Sequence, residues 1–271
     1  MNILITAICF VNDEKPGSEI YTTYAGRLIN DVLTKTPYDV MITTNKACNF
    51  NCFNGNTRVI IRSEPLETHK VSVGRFNQLL KFFAIQNIDS KYDWVLYLDC
   101  DAGLTGEWNE QEIIDHINQW EKQGFDFIAT RTNAVIKKEV ADYEKIVEEY
   151  NEERKTNPIA YFKDHLFGPK FRFYNVTTKN GPFEWFDAVM PSEHVLLIKN
   201  SSKLPVMCNA FEDLCFKFEA QDPIVTVDME AFEIGVSAIL AGYKTGDFGN
   251  YGLYNAFKIG FNYNNWERQK Y

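Results

Sequence analysis

From Asn2 to Thr130, short apolar runs alternate with stretches whose apolar residues recur at helical spacing. Asn2–Phe10, Tyr38–Thr43, Thr57–Ile61, Asp93–Asp101 and Phe125–Thr130 read as strands: each is a brief apolar or β-branched run bounded by polar residues. Between them, Tyr21–Lys35 carries Tyr24, Leu28, Ile29 and Val32 on one helical face, and Gly74–Ile88 carries Phe76, Leu79, Leu80 and Phe83. Asn109, followed three residues later by Glu112, reads as a capping box ahead of Ile113, Ile114, Ile117 and Trp120. Parallel strands need long crossover connections, so this alternation predicts an α/β fold. Its centre would be a mostly parallel, Rossmann-like sheet flanked by helices.

Beyond residue 131 the pattern loosens. Lys137–Lys155 reads as a charged helix, His194–Lys199 as a strand and Phe211–Phe218 as a short helix. Ile224–Val227 reads as a strand and Met229–Ala241 as a helix, while Asn45–Asn56 reads as an Asn-rich loop. The chain shows no repeat and no linker, so 1–271 is expected to be one domain with a change of character near residue 131. The 271 residues are enough for a full core.

Composition narrows the setting. No run approaches the length of a membrane span, and Met1–Thr6 reads as the start of the first strand, not as a basic leader. Six cysteines, several in apolar runs, are not a disulfide framework in a chain this long, which leads us to expect a reducing, cytoplasmic setting. Cys48 and Cys52 lack a second Cys/His pair at zinc-site spacing. A net charge of −9 argues against coating nucleic acid through bulk charge. Charge is uneven, however. Residues 154–179 hold Arg154, Lys155, Lys163, Lys170, Arg172 and Lys179 against the single acid Asp164, interleaved with six aromatic residues. That mixture has the chemistry for phosphates and stacked bases, and equally for an insertion with its own small core.

The chemistry concentrates at Asp93–Asp101. Its apolar run ends abruptly at Asp99 and Asp101, and in open α/β sheets ligands bind at the carboxyl ends of strands. Two carboxylates there call for a positive partner, and a hard divalent cation holding a diphosphate is an economical one. Here the chain resembles the nucleotide-sugar glycosyltransferases of the GT-A fold, whose Asp-x-Asp motif ends an apolar strand. The resemblance implies a metal-dependent hexosyl- or pentosyltransferase with a nucleoside-diphosphate sugar as donor, a UDP-sugar by preference. It implies Mn²⁺ or Mg²⁺ on Asp99 and Asp101. It places the nucleotide over Thr6, Ala7, Cys9, Thr43, Thr44 and Asn45, with Arg75 and Lys81 facing the diphosphate. Residues 1–131 would then form the donor half and 132–271 the acceptor half.

On the acceptor side, Asp228, Glu230 and Glu233 surround the start of a helix that runs into Ala241-Gly242-Tyr243-Lys244, similar to a late GT-A element. The family's adjacent Glu-Asp pair is missing there; Glu212-Asp213 supplies one elsewhere, within an amphipathic pattern. Asp187, beside Trp185 and Phe186, has the composition of a sugar grip. Glu230, Asp187 and Asp228 are therefore the expected catalytic or acceptor-binding acids. The acceptor itself is expected to be a glycan, or a nucleic acid gripped by Arg154–Lys179, which would make the enzyme one of DNA modification. Two other classes fit the same residues: a nucleotidyltransferase, although no Gly-rich phosphate loop follows the first strand, and a non-catalytic nucleotide or sugar binder.

Overall fold

In the computed structural model of the chain, the described residues are 1–13, 16–66, 73–131, 177–178, 181–182, 191–221, 230–247 and 255–261. The strands are β1 (Ile3–Cys9), β2 (Asp39–Thr44), β3 (Val59–Ser63), β4 (Trp94–Leu98), β5 (Ala102–Leu104), β6 (Phe127–Arg131), β7 (Thr177–Thr178), β8 (Gly181–Pro182), β9 (Pro191–Lys199), β10 (Thr245–Asp247) and β11 (Ile259–Phe261). The helices are α1 (Ile20–Lys35), α2 (Val73–Ile85), α3 (Glu110–Lys122), α4 (Lys203–Gln221) and α5 (Glu230–Leu240), with a 3₁₀ helix at Ala47–Phe53. The expected helix at Lys137–Lys155, the strand at Ile224–Val227 and the Arg154–Lys179 segment lie outside the described residues.

Seven strands form one sheet in the order β10-β6-β9-β4-β1-β2-β3. β3, β2, β1 and β4 run parallel, as the alternation predicts. β9 runs antiparallel to both of its neighbours, β4 and β6. The sheet is thus mostly parallel, with one reversed strand at its centre. Its strands also cross the boundary near residue 131, because β9 sits between β4 and β6 and β10 pairs with β6.

Helices cover both faces. α1 packs Ala25, Leu28, Ile29 and Val32 on the face that carries Ile3, Ile5, Leu96 and Leu98, together with Ile113, Ile117 and Trp120 of α3. The other face carries Val95, Tyr97, Leu196 and Ile198 and is covered by α2, α4 and α5. All five residues of β4 are buried, which is why that stretch reads as a continuous apolar run without alternation. At roughly 1.5–3 kcal/mol per fully buried large side chain, this strand anchors both layers.

Local chemistry sets the element ends. The Asn109 side chain accepts from the backbone N–H groups of Gln111 and Glu112, capping α3. α5 ends at Gly242, in the left-handed region at φ 81°, with Gly242 N donating to Ile239 O and Tyr243 N to Ala238 O. The Ala-Gly-Tyr-Lys turn then ties α5 to the sheet: buried Tyr243 donates its hydroxyl to Lys199 O, and Lys244 N donates to Asp126. Three features differ from the sequence reading. The Asn-rich stretch coils into the 3₁₀ helix. α4 starts eight residues earlier than read, because Pro205 falls in its first turn, where a missing N–H costs nothing. β5 and β11 form a small antiparallel sheet just past Asp101.

Candidate active site

The Asp-x-Asp stretch is a strand end followed by a turn. β4 stops at Leu98, and Ala102 N donates to Asp99 O. Strand parity puts Tyr97 and Asp99 on the α2 face of the sheet. Because β9 is antiparallel, its early residues lie beside the last ones of β4: Leu98 pairs with Val195, and Asp99 N donates to His194 O. His194 therefore faces the same way as Leu196, toward α2.

Four side chains meet on that face. Asp99 Oδ2 lies 2.6 Å from His194 Nδ1. Asp99 Oδ1 accepts the Tyr97 hydroxyl at 2.7 Å and lies 3.4 Å from Lys81 Nζ. Lys81 is only 7% exposed, and its ammonium sits 5.5 Å from the Tyr97 ring centre. Burial works to raise the Asp99 pKa, but Lys81, His194 and Tyr97 together outweigh it and hold the carboxyl at about 2.

Asp101 goes the other way. The turn carries it to the α1 side, where it lines a cleft of about 210 Å³ with Tyr24, Arg27, Asn30, Asp31 and Gly103. Asp31 in that cleft is committed, since Oδ1 pairs with Lys35 Nζ at 2.5 Å and Oδ2 accepts Leu104 N. Gly103 permits this approach, because a Cβ there would stand 2.9 Å from Asp31 Oδ2. The two motif aspartates are thus held in different layers.

This donor set tests the expected metal. Both oxygens of Asp99 already take protein donors, one of them cationic, so Asp99 does not fit as a ligand in this arrangement. Among the described residues, no three His, Cys, Asp or Glu side chains converge on a point. Asp101 does fit the looser mode in which a hard cation takes one protein carboxylate, the donor's phosphate oxygens and water.

The residues expected around the nucleotide lie at the carboxyl ends of β1 and β2, and their polar atoms are used inside the protein. Thr6, Ala7, Cys9 and Thr43 are fully buried. The Thr6 hydroxyl donates to Ala84 O, the Thr43 hydroxyl accepts from Arg62 Nε, and Thr44 Oγ1 accepts from Lys46 N. Asn45 forms a reciprocal pair with the backbone of Val11. Burial pushes the Cys9 thiol up to about 11, against the hydrogen bonds of Thr22 and Thr44. Arg75 lies in α2 and Glu230 opens α5, with their side chains outside the described set; Asp187 and Asp228 lie wholly outside it. In α4, Glu212 is half-buried and Asp213 exposed. His116 of α3 stacks on Trp120.

The sequence reading did not connect His194 with Asp99. The two are 95 positions apart, and their meeting depends on the reversed direction of β9.

No known family profile matches the chain, and no curated protein matches it in sequence. Among solved structures it is similar to the apo form of the bifunctional glycosyltransferase WbbM, with 13% identity and a TM-score of 0.44. That overlay covers 91% of this chain and 38% of the other, so the chain spans well under half of WbbM. It is also similar to the galactosyltransferase LgtC in complex with donor and acceptor sugar analogues, at 11% identity and a TM-score of 0.42, over 87% of this chain and 70% of that one.

Proposed function

We propose that the chain transfers a glycosyl group from a nucleoside-diphosphate sugar, by preference a UDP-sugar, to an acceptor hydroxyl. The observation that carries this reading is the acidic turn Asp99–Asp101. It closes the buried central strand of a mostly parallel sheet, at the end where open α/β sheets take their ligands. The donor would lie across the exits of β1, β2 and β4. A divalent ion held on Asp101 and the donor's phosphate oxygens would supply positive charge at the departing diphosphate. Arg27, Asn30 and Tyr24 beside Asp101 offer a guanidinium, an amide and a phenol ring to hydroxyls and phosphates in the same cleft. The acceptor would enter from the side of Asp187, Asp228 and Glu230 and be gripped by those acids.

Incubation with a panel of nucleotide sugars and Mn²⁺, with and without chelator, tests the reading. Release of nucleoside diphosphate is expected. Release of pyrophosphate would indicate nucleotidyl transfer instead, and binding without release would indicate a non-catalytic module. Asp101→Asn is expected to abolish Mn²⁺ binding in the presence of UDP, read by calorimetry, and to reduce turnover by at least 100-fold. Undiminished Mn²⁺ binding would remove Asp101 from the donor site. Glu230→Gln is expected to lower turnover more than donor affinity; full activity in that variant would remove Glu230 from the acceptor side.

A further inference from the structure

We propose that the cleft between the end of α2 and the start of α4 is a non-catalytic subsite for a neutral oligosaccharide, the far part of a glycan acceptor. The proposal deepens the glycosyl-transfer reading above, and the role of that chain as acceptor rests on it.

The cleft holds about 380 Å³, within the range of about 300–1,000 Å³ usual for small-molecule sites. Its lining comes from α2, the turn that follows it, the turn after β9 and the first part of α4. No charged side chain lines it, and Lys203 at the same turn is paired with Asp126. A phosphate, a carboxylate or a metal ion would therefore enter without a counter-charge, which is costly. The cleft offers amides and hydroxyls instead. Gln86, Asn87 and Asn209 bring side-chain amides, and Ser90 and Ser202 bring hydroxyls. Among the described residues, no hydrogen bond engages these five side chains. A primary amide presents a donor and an acceptor side by side, as two neighbouring sugar hydroxyls do. Buried Phe82, Leu204 and Cys208 supply apolar lining, which suits the C–H face of a pyranose ring. An extended peptide is a poorer match: it is recognised by main-chain pairing at a strand edge, and no strand residue lines the cleft.

The walls are tied together in the free protein. Asn200 Nδ2 donates to Asp89 O and Tyr92 O, and Asn200 N donates to Asp93 O, so the turn after β9 is stitched to the turn before β4. Gln86 is held by its main chain, with N donating to Phe82 O and O accepting from Arg62 Nη1. A wall fixed in this way lowers the cost of ordering on binding. The cleft lies at the amino end of β4, whereas the acidic turn closes the other end; Asp93 and Asp99 stand about 20 Å apart at strand spacing. A sugar held here does not reach the reacting atoms. α4 opens at the cleft and leads in sequence to Asp228 and Glu230, the acids proposed for the acceptor. Holding a long chain at this second point raises the effective concentration of its end at the first, a gain denied to a short acceptor.

The test is a titration of ¹⁵N-labelled protein, without nucleotide sugar, against maltoheptaose, cellohexaose, mannohexaose and a galacto-oligosaccharide. At least one is expected to move the side-chain amide signals of Gln86, Asn87 and Asn209 and to saturate at millimolar concentration. Gln86→Ala combined with Asn209→Ala is expected to weaken that binding about tenfold, the loss of one or two hydrogen bonds. Asn209→Ala alone, at an exposed position, is expected to weaken it in the same direction and serves if the pair disturbs the fold. Silence of these signals toward all four sugars would overturn the proposal. So would wild-type affinity in both folded variants, or a stronger response to inorganic phosphate or to a neutral hexapeptide. Each of those results leaves glycosyl transfer intact. Failure to release nucleoside diphosphate from any donor would bring down the transfer reading and the acceptor role, while sugar binding at the cleft would stand.

Discussion

Asp99 is the residue whose setting matters most. Its carboxyl sits at about 2, below an ordinary value of 3.8, because Lys81, His194 and Tyr97 outweigh burial. A depressed carboxyl contributes stability that is complete above its unfolded pKa and fades as pH falls through the folded one. Asp99 should therefore contribute on the order of 1–2 kcal/mol above about pH 4, declining toward pH 2. Urea midpoints across that range should converge for wild type and Asp99→Asn; parallel curves would mean that the network stores no such energy. The cysteines divide in the same way by surroundings. Cys48 and Cys52 are exposed, whereas Cys9 and Cys208 are buried, with burial as the main force pushing their thiols up to about 11 and about 12. Alkylation of the native protein, mapped by mass spectrometry, should label the first pair within minutes and spare the second until unfolding. Fast labelling of Cys9 would mean that the β1 exit opens in solution.

At the level of elements, helix ends are where single residues decide most. Gly242 lets the chain turn from α5 into β10 with φ 81°, and the same turn seats Tyr243 on Lys199. Gly242→Ala should cost about 1–2 kcal/mol, since a Cβ in the left-handed region is strained. An unchanged denaturation midpoint would show that the turn relaxes at no cost. α2 has a different task. It covers the sheet with Leu79, Leu80 and Phe82 and brings Lys81 under the end of β4, so one helix joins core packing to the charge network. Its Lys81 Nζ lies 3.4 Å from Asp99 Oδ1.

For the whole molecule, β4 lies between β1 and β9 and touches both layers. Leu96→Ala should therefore destabilise the protein by about 2–5 kcal/mol, as large-to-small changes in packed cores do. A loss under 1 kcal/mol by chemical denaturation would mean that the layers close over the cavity. The acceptor question also belongs to this scale, since the −9 net charge and the basic 154–179 stretch pull in opposite directions. If a nucleic acid is the acceptor, binding to hydroxymethylated duplex DNA should weaken steeply with salt, and removing Lys170 and Arg172 together should flatten that slope. Binding that is absent at low salt would leave a glycan hydroxyl as the acceptor.

The sequence alone determined what depends on local pattern. Strand and helix periodicity places β1, α1, β2, α2, β4 and α3 to within a few residues, because burial of one face leaves a direct trace in residue order. It also marks Asp99 and Asp101, since an apolar run that ends on two carboxylates needs no third element to be noticed. What it left open depends on direction and crossing. The hydrophobic pattern of β9 is the same whether it runs parallel or antiparallel, yet only the antiparallel choice sets His194 beside Asp99. The i and i+2 spacing of the aspartates implies one shared face, but strand parity reaches only as far as Asp99, and the turn sends Asp101 toward α1. Helical spacing shows that α2 is amphipathic, and only its packing shows that Lys81 lies under Tyr97 and Asp99. Residues brought together across 95 positions have no common signal in the order of the chain, so tertiary structure alone decided which groups hold the acidic turn.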